Sequence, residues 1–355
     1  EGGMSKVLLF SDLHIHPHKR RTERLDDCLE VLEWVFDTAK SRNIDNIIFA
    51  GDLFHDRQKI DVLTYQRTFE IFQKKLASKI WILLGNHDLW HLKKLDVSSV
   101  FPLTAIPGVT VVAQPSTLDI AEHPISFLPY THDPITDLAK IQNECSTKIL
   151  IGHIAIDNAV WNRMHGIRSE VSIEHDGEMT KVGTDIFKDW GQVYLGHYHA
   201  EQKLDHNVEY IGSPLQLSFG EAFQHKHIII LDLETYDKEY IRNTFSPQHF
   251  IIPEADLGKY KLENNFIRVI VDDIADSKTI DMRNDITQNN NVGSLEIKQV
   301  EKKQEECLIE NAKAILFEES KMLGRYVEEI EKHTGLQDLN KEHLLEIGKI
   351  IADEG

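Results

Sequence analysis

Apolar and polar positions follow two alternating patterns in the first half of the chain. Short runs at residues 7–10, 47–50 and 80–84 are too continuously apolar to leave one face of a strand in water. Residues 25–40 and 62–76, which lie between these runs, have the apolar spacing of helices. Buried strands that alternate with helices indicate an α/β fold.

The runs that follow predict a second sheet. At residues 109–129 and 193–233 the apolar runs are shorter and turn residues separate them, which favours more antiparallel pairing. Two layers of sheet flanked by helices would bury all of these runs. We therefore expect a two-sheet α/β sandwich over residues 4–245.

A change of pattern after residue 245 predicts a small second domain over residues 246–304. Residues 246–261 contain two prolines and show little periodicity, which is typical of a linker. Beyond them, the pattern predicts a βαβ-like capping unit with a strand at 266–271, a helix at 277–287 and a strand at 295–300.

The last segment, residues 305–355, has a helical pattern. Leu308, Ala312 and Ile315 recur at spacings that place them on one helix face, and Asn340 is a suitable N-cap for a second helix. The two helices of this C-terminal hairpin either pack on their own domain or dock on a partner. Their distance from the main core favours a partner.

Composition narrows the class of protein. The 355-residue chain is 41% hydrophobic and has no apolar run near the length of a membrane span, so we expect a cytoplasmic protein that starts at Met4 and does not contact membranes. Cys28, Cys145 and Cys307 form no C-x-x-C pair, which argues against a disulfide framework and a thiolate zinc site. The formal charge of -19 argues against a uniformly basic surface for nucleic acid.

Five apolar runs end in the same way. Each closes on Gly or Ser, and Asp, Asn or His follows at once. The five segments are FSDLH with Asp12 and His14, FAGD with Asp52, LLGNHD with Asn86, His87 and Asp88, LIGH with His153, and LGHYH with His197 and His199. Because ligand sites in open α/β sheets lie outside the carboxyl ends of the strands, we expect these segments to converge on one crevice.

The side chains in these segments indicate a metal site. Seven of them offer oxygen or imidazole nitrogen and none offers sulfur, which is too many donors for one tetrahedral zinc and too much imidazole for magnesium or calcium. Two transition-metal ions that share one carboxylate fit the set. One such motif alone is a weak signal, since a lone histidine is more often structural, but the conjunction of five predicts a dinuclear centre.

In this order and at these intervals, the five motifs resemble the signature of the calcineurin-like metallophosphoesterases. GDLFHD at 51–56 and YIGSPLQLSFGE at 210–221 resemble the SbcD-type nuclease subunits of double-strand-break repair complexes and their phage recombination relatives. The resemblance implies a DNA nuclease with exonuclease and endonuclease activity that uses water activated by two divalent ions, with manganese expected. It implies one ion on Asp12, His14, Asp52 and His199, and a second on Asp52, Asn86, His153 and His197.

The resemblance also implies roles for residues that hold no metal. His87 faces the scissile phosphate and assists the leaving oxygen, and His55 makes a further phosphate contact that affects how the strand is presented. Asp88 is expected to orient the His87 imidazole, on adjacency alone.

Positive charge gathers behind the metal-binding motifs and predicts contacts with the DNA backbone. An ordinary solvated charge run is the alternative. The candidate residues are Lys19, Arg20, Arg21, Lys93, Arg163 and Arg168, with Arg24 counted in the first group. The resemblance further implies a homodimer and an SbcC-type ATPase whose coiled coil takes the C-terminal helices.

Two other functions compete with the nuclease. A small-substrate phosphodiesterase or protein phosphatase would share the fold, but GNHD, GDLFH and the capping unit count against it. A partner-binding scaffold with an inactive site is disfavoured because no expected ligand is missing.

Overall fold

The computed structural model describes residues 5–17, 22–144, 148–162, 167–175, 178–205, 207–271, 277–289 and 292–299. Its helices are α1 (Thr22–Ser41), α2 (Val62–Lys75), α3 (Pro134–Glu144) and α4 (Ser277–Asn289). Short 3-10 helices span Phe101–Ala105, Thr184–Phe187, Phe219–Glu221 and Glu254–Lys259. The predicted hairpin at 305–355 lies outside the described residues.

The strands follow in chain order. They are β1 (Lys6–Phe10), β2 (Asn46–Phe49), β3 (Lys79–Leu83), β4 (Leu89–His91), β5 (Lys94–Ser98), β6 (Val109–Val112), β7 (Ser116–Ile120), β8 (His123–Leu128), β9 (Ile149–His153), β10 (Val160–Asn162), β11 (Ile167–Arg168), β12 (Ser172–His175), β13 (Glu178–Lys181), β14 (Gln192–Gly196), β15 (Gln202–Lys203), β16 (Val208–Tyr210), β17 (His227–Asp232), β18 (Lys238–Arg242), β19 (His249–Pro253), β20 (Phe266–Val271) and β21 (Ser294–Gln299).

The described residues form two compact units. The first contains residues up to 162, then 167–217 and 225–247, and the second contains 218–224 and the described residues from 248 onward. The segment 218–224 lies on the first-domain side of the boundary predicted at 245. It belongs to the second unit because Ala222 and Phe223 pack with Ile251 and Ile270.

The first unit is a sandwich of two mixed sheets, as the sequence predicts. The first sheet has the order β18-β17-β1-β2-β3-β6 and the second has the order β15-β16-β14-β9-β8-β7. Side chains of β1 alternate between two cores: Leu8 and Phe10 pack in the core that contains α1 and α2, whereas Val7 and Leu9 pack against residues of the second sheet such as Phe127. This alternation is why the strands lack a polar face.

The expectation that the second sheet is more antiparallel was wrong. Its central strands β16, β14, β9 and β8 pair in parallel, and antiparallel pairing occurs at β15 and β7. Moreover, β6 and β17, which lie in the segments assigned to that sheet, pair with β3 and β1 of the first sheet. Turn residues mark where a strand ends but carry no information about the sheet in which the next strand lies.

The second unit contains the predicted βαβ element. Strands β19, β20 and β21 lie side by side in parallel, and Ile286 of α4 packs with residues of β20. The linker expected at 246–261 was wrong, because His249–Pro253 forms β19 and a 3-10 helix follows it. Pro253 is tolerated there since it ends an edge strand. Within the described part of the chain, no helix combines the length and apolar character that a membrane crossing requires.

Candidate metal centre

The five motifs meet at the carboxyl ends of β1, β2, β3, β9 and β14. His153 is the last residue of β9 and His197 follows the end of β14 directly, whereas the remaining ligand candidates lie within a few residues of their strands. Parallel strands direct these ends toward one edge of each sheet. The predicted convergence is therefore present in the fold.

One group of donors consists of Asp12, His14 and His199, whose possible ligand atoms all lie within 4.8 Å of one another. The Nε2 atoms of His14 and His199 are 3.1 Å apart, and His14 Nε2 is 3.9 Å from Asp12 Oδ1. Asp12 is itself fixed by the backbone N–H of His197, which donates to both carboxylate oxygens at 3.1 Å.

A second group consists of Asp52, His153 and His197, again within 4.8 Å of one another. Asn86 joins it, since its Oδ1 is 3.2 Å from His153 Nε2 and 2.9 Å from His197 Nδ1. All seven predicted donors are thus divided between two adjacent groups.

Asp52 lies between the groups. Its Oδ2 is 3.5 Å from His14 Nε2 in one group and 3.3 Å from His153 Nε2 in the other. Its Oδ1 accepts a hydrogen bond of 2.7 Å from the backbone N–H of His87. The carboxylate is therefore oriented toward both groups at once.

The pKa shifts of the donor side chains favour the binding of a cation. Burial would raise the pKa of Asp52, but His153 and His14 hold it well below its ordinary value, so the carboxylate is charged. Burial lowers the pKa of His14, and burial together with His153 lowers that of His197 to about 3, so both rings keep a lone pair at neutral pH. Burial raises the pKa of Asp12.

His153 supplies the test of whether a cation fits. Its Nδ1 donates to the Ala50 carbonyl at 2.6 Å, so in the neutral ring the Nε2 lone pair faces the oxygens of Asp52 and Asn86. Three acceptors that face one another are satisfied only by a cation or a proton. Burial lowers the pKa of His153, but the Asp52 charge raises it to a net value of about 9. In the metal-free fold, a proton on Nε2 therefore takes the place of the cation. The donor set fits a divalent metal ion.

The backbone at the centre is unusual. Four donor residues have a positive φ, in the left-handed region that residues other than glycine seldom adopt. The values are 53° at Asp12, 47° at His14, 64° at Asp52 and 105° at His197. Gly51 has a φ of 99°, and a Cβ there would lie 2.5 Å from His153 Nδ1. A Cβ on Gly85 would overlap the Asp52 carboxylate. The motif glycines therefore leave room for the neighbouring motif's ligands.

His87 and His55 lie beside the donors. The rings of His14 and His87 are 4.7 Å apart, and those of His55 and His87 are stacked at 5.6 Å. His87 Nδ1 donates to the His55 carbonyl at 2.6 Å, which leaves its Nε2 as the nitrogen available for proton transfer. His55 is exposed.

The role expected for Asp88 was wrong. Its buried carboxylate accepts hydrogen bonds of 2.9 Å from the backbone N–H groups of Gly85, Asp52 and Leu53, whereas the His87 ring bonds to the His55 carbonyl. Asp88 therefore holds the second and third motifs together and does not orient the imidazole.

The predicted DNA contacts differ in their surroundings. Lys93 is exposed at the turn between β4 and β5, and Arg168 is exposed at the end of β11, where its guanidinium donates to the Asn158 carbonyl at 2.8 Å. Arg24 was wrongly counted, because it is buried and donates to the Gln216 carbonyl at 2.6 Å. The remaining candidates, Lys19, Arg20, Arg21 and Arg163, lie outside the described residues.

Lys226 is a site residue that the sequence did not reveal. Its buried Nζ donates to the His199 carbonyl at 2.8 Å and to Ser213 Oγ at 3.0 Å, while the Ser213 backbone N–H donates to the same carbonyl at 3.0 Å. The two residues position the loop that carries His199. Ser213 falls in the quoted segment 210–221, but no sequence signal distinguishes Lys226.

A two-sheet sandwich with Asp, Asn and His side chains gathered at its strand ends defines a metal-binding enzyme. The chain matches the calcineurin-like phosphoesterase family over residues 5–229 and belongs to that family.

Relatives were found among phage and bacterial proteins. The chain is 26% identical over 280 residues to "Exonuclease subunit 1" of Enterobacteria phage T4, which covers 76% of this chain and 77% of that protein. It is 22% identical over 254 residues to the SbcD-type subunit of the nuclease SbcCD from Staphylococcus saprophyticus, which covers 64% of this chain and 66% of that protein. A solved nuclease MPE of Pseudomonas putida matches with 14% identity over 66% of this chain and 87% of that chain, at a TM-score of only 0.29.

Proposed function

We propose that the protein is a metal-dependent DNA nuclease that hydrolyses phosphodiester bonds at or near DNA ends. The observation that carries the proposal is the position of Asp52, whose Oδ2 lies 3.5 Å from His14 Nε2 and 3.3 Å from His153 Nε2, between two groups of donors. Similarity to the phage exonuclease and SbcD-type subunits supports DNA as the substrate.

Two divalent ions, most often Mn²⁺, would be held by these seven residues. Asp12, His14, Asp52 and His199 would hold one, and Asp52, Asn86, His153 and His197 the other. When bound, such ions supply Lewis-acid activation of water and neutralise charge on the phosphate.

His87 is the group that we assign to proton transfer. Its Nδ1–H bond to the His55 carbonyl fixes the ring, so that Nε2 is the atom that exchanges a proton with the leaving oxygen. Its backbone N–H also holds Asp52 Oδ1 at 2.7 Å, which couples the position of His87 to the carboxylate between the two groups. His55 would contact the phosphate beside it.

DNA would be held by basic residues that follow the metal-binding motifs in the sequence. We assign this role to Lys19, Arg20, Arg21, Lys93, Arg163 and Arg168. Reversal of Lys19, Arg20 and Arg21 to Glu should weaken DNA binding and flatten its salt dependence, because each phosphate contact adds a released counterion to the slope. If the dependence of DNA binding on salt concentration is unchanged, the assignment of these three residues is wrong.

The proposed assembly follows the SbcD-type relatives. We infer a homodimer in the cytoplasm of a bacterial or phage-infected cell, with residues 305–355 docked on the coiled coil of an SbcC-type ATPase. Co-purification of the full chain with such an ATPase, and its loss on removal of 305–355, would test the docking.

A cleavage assay tests the function itself. End-labelled duplex and single-stranded DNA are incubated with Mn²⁺ or Mg²⁺, with and without a co-expressed ATPase partner. We expect metal-dependent cleavage that chelation abolishes. Hydrolysis of a small phosphodiester without cleavage of DNA under any of these conditions would instead favour a small-substrate phosphodiesterase.

A further inference from the structure

A pocket in the first unit is not used by the metal centre. It has a volume of about 380 Å³ and is lined by residues that include Arg57, Trp90, Leu92, Lys93 and His132. The volume lies within the range of small-ligand sites, about 300–1,000 Å³. An aromatic ring and an aliphatic side chain share its lining with cationic groups.

The pocket is a continuation of the segments that carry the site histidines. Arg57 follows His55 by two residues and Trp90 follows His87 by three. Tyr130 connects both places: the centres of the Tyr130 and His132 rings are 5.5 Å apart, and the Tyr130 backbone N–H donates at 2.8 Å to the carbonyl of Leu84, which directly precedes the third motif's glycine. A DNA strand that is bound at the metal centre would therefore reach this pocket within a short distance.

Trp90 offers a stacking surface. The side chain is 43% exposed, which is unusual for so large an apolar ring. The Lys94 ammonium lies 5.3 Å from the centre of the ring, so a cation covers the ring on one side. A planar π-system on the exposed part would complete the arrangement.

Arg57 offers a polar contact. Its Nε is buried and has no hydrogen-bond partner among the described residues. A buried N–H without an acceptor is costly, and a ligand oxygen would satisfy it. His132 and Leu92, which also line the pocket, are joined by a hydrogen bond of 2.8 Å from His132 Nε2 to the Leu92 carbonyl.

We propose that this pocket binds an unstacked nucleobase of the nucleotide next to the scissile phosphate, with the base on Trp90 and an oxygen of the nucleotide on Arg57. The inference rests on the proposed nuclease function and specifies its substrate. A base can lie on Trp90 only after leaving its own stack, so the isolated protein should favour single-stranded or frayed ends over a paired blunt end.

The test combines a protein change with a substrate change. A series of single-stranded oligonucleotides carries one abasic residue, at a different position in each. Their binding is measured by fluorescence anisotropy in Mn²⁺ with proteins that also carry His87→Asn. Cleavage is measured separately with proteins that keep His87. Trp90→Ala and Trp90→Phe are compared with the Trp90 protein. Thermal melting by circular dichroism shows that each variant is folded.

At one position near the cleaved bond, loss of the base should weaken binding by the Trp90 protein about 5- to 150-fold, the range expected for one stacked base. Trp90→Ala should weaken binding to the intact strand by a similar factor and be insensitive to that abasic position, while Trp90→Phe restores most of the loss.

Two results would overturn the pocket assignment: the protein with Trp90 binds the intact strand and all abasic strands equally, or the effect of the abasic residue persists in Trp90→Ala. In either case, cleavage of the intact strand would still support the nuclease. Failure to cleave any DNA while base-dependent binding persists would reject the nuclease and leave the pocket assigned.

Discussion

Replacement of Asp88 by Asn tests how the centre is held together. The carboxylate accepts two N–H groups on Oδ2, from Gly85 and Asp52, and one on Oδ1, from Leu53, each at 2.9 Å. Asn keeps one acceptor oxygen and converts the other to an amino group. With the oxygen on the side of Gly85 and Asp52, two hydrogen bonds remain and the Leu53 N–H faces a donor.

The magnitude follows from these contacts. At a pH where Asp88 is protonated, no charge on this residue enters the comparison. The Leu53 N–H left without an acceptor costs about 1–3 kcal/mol, whereas the amide oxygen keeps the hydrogen bonds from Gly85 and Asp52. The free energy of unfolding should therefore fall by about 1–3 kcal/mol.

Urea unfolding of the metal-free protein measures this loss. Burial and the Asp52 charge raise the pKa of Asp88 from 3.8 to about 7, so ionisation of this carboxylate opposes folding, and the comparison is made near pH 4, where Asp88 is protonated in the folded state. All 5 tryptophans of the chain lie within residues 34–190, so their fluorescence reports the first unit alone. The unfolding midpoint should fall by about 0.3–1 M for an m-value of about 3 kcal/mol/M.

Asp119→Asn is the matched control, since Asp119 is exposed on β7, and it should change the free energy of unfolding by less than about 0.5 kcal/mol. If Asp88→Asn unfolds at the same midpoint as this control, the three hydrogen bonds do not stabilise the unit. If it unfolds like this control and retains metal, yet slows cleavage as a His87 variant does, Asp88 acts on the imidazole after all.

Three further predictions concern the centre. His87→Asn should retain metal, measured by elemental analysis, but cleave DNA about 10²- to 10⁴-fold more slowly; retained activity would refute the proton-transfer role. Gly85→Ala should lose metal because its Cβ overlaps the Asp52 carboxylate, whereas Gly258→Ala, with nothing within 4 Å, should bind metal like the wild type; equal metal content would refute the steric argument. The pKa of His153 rises from 6.5 to about 9 in the metal-free fold, so its stabilisation is present below pH 6.5 and lost as the pH rises toward 9. The melting temperature of the metal-free protein should fall over that window, and a His153→Gln variant that shows the same fall would contradict the assignment.

The sequence predicted the parts of this protein that depend on local pattern. Strand positions, the βαβ element and the convergence of Asp12, Asp52 and His153 follow from apolar runs and from the rule that ligands lie at strand ends. Sheet pairing did not follow, because β6 and β17 reach the first sheet through connections that leave no local trace.

Long-range hydrogen bonds were equally hidden. Lys226 reaches the His199 carbonyl across 27 residues, and Asp88 reaches Asp52 across 36, although each looks like an ordinary polar residue beside its neighbours. Adjacency to His87 suggested the wrong partner for Asp88. In this chain the types of side chain indicate the chemistry, but only the fold shows which backbone groups they hold.

The left-handed backbone at Asp12, His14, Asp52 and His197 limits how the centre can be re-engineered for another metal. Any replacement there must tolerate a positive φ as well as supply a suitable donor, and Asn, Asp and His meet that condition far more readily than bulky or β-branched residues. Asn86, His153 and His199 carry no such restriction. Directed evolution of metal preference should therefore concentrate its accepted substitutions at these three positions.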